Sequence, residues 1–159
     1  MDNILQYAYK DILIMLVAMV PVLELRGAIP IGIAMGVSPF WSMILSVIGS
    51  TIPVPLILLG LRPVFDLMKK VKLIRKVIDR TTIRALRKSD NVLKYGFWGL
   101  MIFVGIPLPG TGAWTGSLIA VLLNMRIKVA FPAIFIGNII AGTIIYILSY
   151  TTFSILNFL

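Results

Sequence analysis

Three stretches without a charged residue organise the chain: Gly27 to Leu61 with 35 residues, Tyr95 to Met125 with 31, and Val129 to Leu159 with 31. A helix crosses the hydrocarbon core in about 20 residues, so two crossings and a turn need roughly 40 or more. The stretch from Tyr95 to Met125 is too long for one span and too short for two, which predicts a re-entrant hairpin. Its middle reads GIPLPGTG, Gly105 to Gly112, where prolines and glycines break a helix at the expected tip. Broken backbone at that depth must be shielded by protein or water.

The first half carries a comparable break, VPVLELRGAIPIGIAMG from Val20 to Gly36. At an offset of 88 residues Pro21 falls on Pro109, and Gly49-Ser50 falls on Gly137-Asn138. Each half then has an apolar arm, a Pro/Gly-broken tip, a second arm, a short turn (VSPF at Val37 to Phe40, RIK at Arg126 to Lys128) and one long uncharged helix. The expected fold is an all-α integral membrane protein of two repeats. The first covers 1–61, with a hairpin at about 12–37 and a transmembrane helix at about 41–61; the second covers 95–159, with a hairpin at about 95–125 and a helix at about 129–150. A hairpin plus one crossing traverses the membrane an odd number of times, so the second copy is inverted relative to the first. An alternative for the first arm is a full span from Ile4 to Leu23, with Lys10 and Asp11 deep in the bilayer.

Composition agrees with a membrane location: 59% of residues are hydrophobic and 13% charged, against roughly 45–50% and about 25% in soluble domains. With no cysteine and no histidine, the chain lacks thiol nucleophiles, imidazole bases and soft metal ligands, so neither a metal nor another cofactor is expected. No basic n-region or cleavage pattern precedes the first apolar run, so the first segment is expected to stay in the mature protein. Of fifteen basic residues, eleven lie between Arg62 and Lys94, opposed by Asp66, Asp79 and Asp90, which gives this segment +8 of the net +9. That concentration predicts a cytoplasmic linker, 62–94, and an inner-membrane protein with the linker inside. Val64, Leu67, Met68, Val71, Ile74, Ile78, Ala85 and Leu86 recur mostly at helical spacing there, as in a basic amphipathic helix lying at the interface. No nucleic-acid role is expected, because no soluble domain is present.

Glu24 and Arg26 are the ionisable residues placed well inside the bilayer, where a central charge costs about 2.5–3.5 kcal/mol and needs compensation or a purpose. One purpose is an ion pair that fixes the hairpin. The other is transport: Arg26 offers a planar fork for a phosphate or carboxylate, and Glu24 takes and releases a coupling proton. Burial and the neighbouring arginine act on that proton in opposite senses, and the sequence leaves the balance open. The second tip adds Pro107, Pro109, Gly110, Thr111 and Gly112, with Thr115 and Ser117 as further hydroxyls; a helix beginning near Ala113 would present free N–H groups to an anion. Trp114 either stacks on substrate or packs at an interface. Ser50 and Asn138 face either a cavity or a helix partner. GIAMG at Gly32 to Gly36 and GAWTG at Gly112 to Gly116 are sufficiently explained by close helix packing.

ELRGAIP at Glu24 to Pro30, PLPGTGAWTGS at Pro107 to Ser117 and GNIIAG at Gly137 to Gly142 together resemble the family of small multidrug export proteins, a relative of the DedA superfamily. The resemblance covers nearly the whole chain and implies two facing re-entrant hairpins and a transport role. DedA relatives are linked to flipping of lipid phosphates such as undecaprenyl phosphate. Their patterns carry arginines on both sides of the second Pro-Gly, where this chain has Ile106 and Gly112, so no two-arginine clamp is implied. The expected function is a small transporter or flippase, proton- or cation-coupled, moving an amphiphilic or anionic molecule between the hairpins. It contacts membrane lipids and forms a homodimer or larger assembly. The alternative is a non-transporting structural module. An enzyme is not expected, because one buried carboxylate without a second acid, His or Cys is poor acid/base machinery.

Overall fold

The computed structural model describes residues 2–69 and 96–156. Among the described residues there are seven helices and no strand: α1 (Asp2–Met19), α2 (Glu24–Ala34), α3 (Pro39–Thr51), α4 (Pro53–Lys69), α5 (Phe97–Gly105), α6 (Ala113–Leu122) and α7 (Ile127–Leu156). The stretches Pro39–Leu61 and Ile127–Ile155 are long and apolar enough to cross a membrane, with mean hydropathies of 2.2 and 2.0. Large apolar side chains such as Leu56, Leu59, Ile147 and Leu148 stand exposed on them, as lipid-facing residues do. Helices group into two compact units, one formed by residues 1–53 and 138–159, the other by 54–137.

In the first unit α1 and α2 form an antiparallel hairpin. Pro21 ends α1 because it has no N–H to give to the Val17 carbonyl, which takes the Val20 N–H at 3.1 Å instead. Four residues after Val20, Glu24 starts the return, its N–H bonded to the Val20 carbonyl at 2.9 Å. Gly36, at φ +80°, ends α2: the Val37 N–H reaches the Gly32 carbonyl at 3.0 Å and the Gly36 N–H the Ile33 carbonyl at 2.9 Å, a Schellman cap. At the same end Lys10 Nζ donates to the Met35 carbonyl at 2.8 Å, a cation on a helix C-terminus. From Lys10 to Met19 is ten residues, a rise of roughly 15 Å. Ile14 and Ala18 of α1 pack on Ala28 and Leu45, while Leu25 and Ile29 pack on Ala141 of α7.

The second unit also contains a hairpin, α5 and α6, joined by Ile106 to Gly112. Its helices have nine and ten residues, roughly 14–15 Å each and half the thickness of a hydrocarbon core. Asn124, at φ +52°, ends α6 with the bonds seen at Gly36: Met125 N–H to the Ala120 carbonyl at 2.9 Å and Asn124 N–H to the Val121 carbonyl at 3.0 Å. Leu100 and Val104 of α5, Ile119 and Ala120 of α6, Val54 and Leu58 of α4, and Ala130 and Ile134 of α7 form its core.

Positions 88 apart behave alike within their own units. Gly36 and Asn124 are the left-handed caps, and Pro39 and Ile127 start the following helices. A β-carbon at Gly49 would stand 2.6 Å from the Met15 carbonyl and 2.9 Å from the Ala18 β-carbon; one at Gly137 would stand 2.8 Å from both the Met101 carbonyl and the Val104 β-carbon.

The uncharged run expected as one helix at 41–61 is interrupted at Ile52, because Pro53 has no N–H for the Gly49 carbonyl. The helix expected at 129–150 is α7, which starts two residues earlier and runs on to Leu156. Of the linker expected at 62–94, residues 62–69 continue α4, and the remainder lies outside the described residues.

Candidate functional site

The first tip is short and exposed, with Val22 at 89% accessibility, yet the acid that follows it is buried: Glu24 is 4% exposed. Its backbone sits at φ +47°, a region that L-residues other than Gly, Asn and Asp rarely occupy, at a cost of about 1–3 kcal/mol. Such strain persists where the surroundings over-determine it, and it clusters at working sites. Arg26 follows within the first turn of α2, half-buried, and its guanidinium interacts electrostatically with the Glu24 carboxylate. Two residues of opposite charge thus share one hairpin end.

The second tip is built around a type II turn, Leu108-Pro109-Gly110-Thr111, with Gly110 at φ +82° and the Thr111 N–H bonded to the Leu108 carbonyl at 3.1 Å. Thr111 Oγ1 lies 2.7 Å from the Ile106 carbonyl and 2.8 Å from that of Leu108, one of which takes its proton, and it accepts the Leu108 N–H at 3.2 Å. This hydroxyl therefore ties the tip to itself. Gly112, at φ +128° and ψ −172°, is the N-cap of α6, a conformation that needs glycine. Helix α6 begins at Ala113; Pro107 and Trp114 are half-buried, Pro109 and Gly110 exposed. Thr115 is half-buried, and Ser117 is buried, donating to the Ala113 carbonyl at 2.6 Å.

Ser50 and Asn138 are brought together. Asn138, 1% exposed, donates through Nδ2 to Ser50 Oγ at 3.1 Å and to Thr51 Oγ1 at 3.2 Å. Ser50 and Thr51 pass their own protons to the Val47 carbonyl, at 3.2 and 2.7 Å. Each position is the other's helix partner. Asn138→Leu is expected to lower stability by about 1–3 kcal/mol, because the two hydroxyls lose a buried donor; a thermal melt in detergent checks it, and an unchanged midpoint would contradict the bond.

One feature of this unit does not show in run lengths or motifs. Serines 38, 42, 46 and 50 recur every fourth residue along α3 and its N-cap, a spacing that places them on one face. Ser38 is exposed, whereas Ser42, Ser46 and Ser50 are fully buried. Ser42 Oγ donates to the Ile29 carbonyl at 3.0 Å, and a β-carbon at Gly32 would collide with that hydroxyl. Helices α2 and α3 are neighbours, joined through Ser42 at this contact. Ser50, Thr51, Ser117, Thr143, Thr151 and Thr152 all donate to a carbonyl three or four residues back. Ser46 Oγ is buried and has no partner, an unmade bond costing about 1–3 kcal/mol. The four-residue spacing is visible in SPFWSMILSVIGS, but the apolar average of the stretch conceals it.

No curated protein and no solved structure matches this chain. Residues 24–144, from the acid of the first tip into the last helix, match the family described as "Putative small multi-drug export protein". That match starts where α2 leaves the first tip, spans the second tip and both caps and takes in well over half of the sequence, and on it the chain belongs to the small multi-drug export protein family.

Proposed function

We propose that the protein is a proton-coupled membrane transporter of an amphiphilic or anionic molecule, in which Arg26 engages the anionic group and Glu24 carries the coupling proton. The observation that carries this reading is Glu24 itself: an acid held in a strained backbone, buried beside an arginine at the end of a hairpin. An intramembrane acid with a named partner is a functional site by default, and the family's name agrees with export.

The reading includes re-entrant hairpins and an inverted repeat. Support for the first comes from length: roughly 15 Å separates the tip of the first hairpin from its open end, where Lys10 meets the Met35 carbonyl, half a bilayer core. Support for the second comes from the paired caps, helix starts and glycine contacts 88 residues apart. The reading also puts the basic linker on the cytoplasmic side.

Reconstituted protein should move a labelled lipid phosphate or a cationic dye down an imposed pH gradient, and the comparison of these two probes separates a lipid flippase from a drug exporter. Glu24→Gln is expected to lower gradient-driven movement by about a hundredfold, within the span that positioned proton transfer contributes, with the fold intact. Full activity in that variant would remove the coupling role. A non-transporting assembly module is the second reading, favoured by the way Ser50, Thr51 and Asn138 satisfy one another. It expects the exchange of charges at positions 24 and 26 to be tolerated.

A further inference from the structure

The basic residues lie unequally about the two long apolar stretches. Pro39–Leu61 is followed by the eleven basic and three acidic residues of 62–94, and Arg126 and Lys128 stand at the start of Ile127–Ile155. Thirteen of the fifteen basic residues therefore flank one end of each stretch. Near the opposite ends the ionised side chains are Asp2, Lys10 and Asp11, with a single basic residue among them. The remaining one, Arg26, belongs to the first tip.

The end poor in basic residues is also where the first hairpin opens. Lys10 donates to the Met35 carbonyl there, Tyr7 and Tyr9 lie within one turn of it, and Phe40 and Trp41 are the second and third residues of α3. Tyr150 comes to this level from α7. Asn138 is bonded to Ser50 and Thr51, and a β-carbon at Gly142 would stand 2.8 Å from Val47 Cγ2, so α7 runs antiparallel to α3. Eight residues on from Gly142 is Tyr150, and eight back from Val47 is Pro39. All five aromatics are exposed. Tyrosine and tryptophan have an apolar body for the acyl region and a polar edge for water, and lysine has a long apolar stem, so a collar of this make-up suits the headgroup level of a bilayer. It is defined by level along three helices, α1, α3 and α7, rather than by one helix face, which fits a lipid surface as its partner.

We infer that the hairpin bearing Glu24 and Arg26 enters the membrane from the extracytoplasmic leaflet, seated among its phospholipid headgroups by Tyr7, Tyr9, Lys10, Trp41 and Tyr150, an orientation that rests on the re-entrant reading of this hairpin and not on the coupling role of Glu24. Short loops rich in lysine and arginine stay in the cytoplasm, which assigns the basic end of both stretches to the inside and the collar to the outside. From Met35 back to Glu24 helix α2 spans roughly 16 Å, about half of a 30 Å core, so the charge pair hangs near mid-membrane from the outer side.

The chain has no cysteine, so single cysteines report without background. Gln6→Cys and Ser38→Cys, at exposed positions of the open end, are expected to react with a membrane-impermeant maleimide in closed spheroplasts, and Lys128→Cys, also exposed, only in inverted vesicles. The reverse order, or reaction of all three in closed spheroplasts, overturns the orientation. Val22→Cys at the tip is expected to react more slowly than either group from its own side. Reaction from the inside as fast as that of Lys128→Cys would make α1 a full span, which removes the re-entrant reading and leaves the collar where it is. Seating is read separately: with Trp98 and Trp114 replaced by phenylalanine, the fluorescence of Trp41 in liposomes should be quenched most by lipids brominated near the headgroup, and strongest quenching by bromines at the chain ends overturns the collar. None of these results depends on whether Glu24→Gln still transports.

Discussion

Gly49→Ala and Gly137→Ala are expected to be among the most damaging substitutions in the chain, although each adds a single methyl group. At Gly49 the new carbon would stand 2.6 Å from the Met15 carbonyl oxygen, and at Gly137 it would stand 2.8 Å from that of Met101. A carbonyl oxygen inside a helix cannot rotate aside as a side chain can, so relief requires α1 or α5 to move bodily. Overpacking of this kind costs about 1–3 kcal/mol, occasionally more, and the backbone obstacle places both sites at the upper end. Gly60, where an added methyl group would meet nothing within 4 Å, is the control: Gly60→Ala should stabilise by about 0.5–1 kcal/mol, because alanine favours the helix. Melting in detergent, monitored by the monodisperse fraction on gel filtration, ranks the three. Parent-like stability of Gly49→Ala would show that α1 and α3 are not held as closely as the geometry requires.

These glycines show how much of the fold is legible in the sequence. Gly49 and Gly137 are legible because close helix approach demands the smallest residue there, and Gly36 and Asn124 because a Schellman cap demands glycine or asparagine. Each cap is followed three residues later by a helix start, at Pro39 and Ile127. Run lengths identify short arms around GIPLPGTG, since a hairpin with nine- and ten-residue helices leaves that signature. Other features are carried by partners distant in sequence. Lys10 would lie deep in a full first span from Ile4 to Leu23; in the structure it bonds the Met35 carbonyl at the open end of the hairpin. Thr111 reads as a hydroxyl donor facing the other tip, whereas in the structure it bonds Ile106 and Leu108 of its own tip. Pro53 is a visible helix breaker, yet the hydropathy of Pro39–Leu61 is uniform enough to read as one element. The positive φ of Glu24 has no sequence signature, because glutamate is not a residue that invites it.

That acid also sets the second large effect. Removing one charge of the first tip is expected to cost more than removing both. Arg26→Leu leaves the Glu24 carboxylate, 4% exposed, without its neighbouring cation, and an uncompensated buried charge costs about 3–5 kcal/mol. Glu24→Leu should cost less, because Arg26 is half-buried and its long side chain can carry the guanidinium toward water. With both replaced by leucine the desolvation of two charges disappears, and such replacements are often neutral or stabilising by about 1–4 kcal/mol. A double-mutant cycle on melting free energies yields the coupling; additive single effects would mean that the two charges do not depend on one another. Transport then separates the two readings of the tip. If the charges only fasten the hairpin, the stable double variant should assemble and work like the parent. If Arg26 binds and Glu24 carries the proton, that variant should be well folded and silent, and the strain at Glu24 is held in place for function rather than for stability.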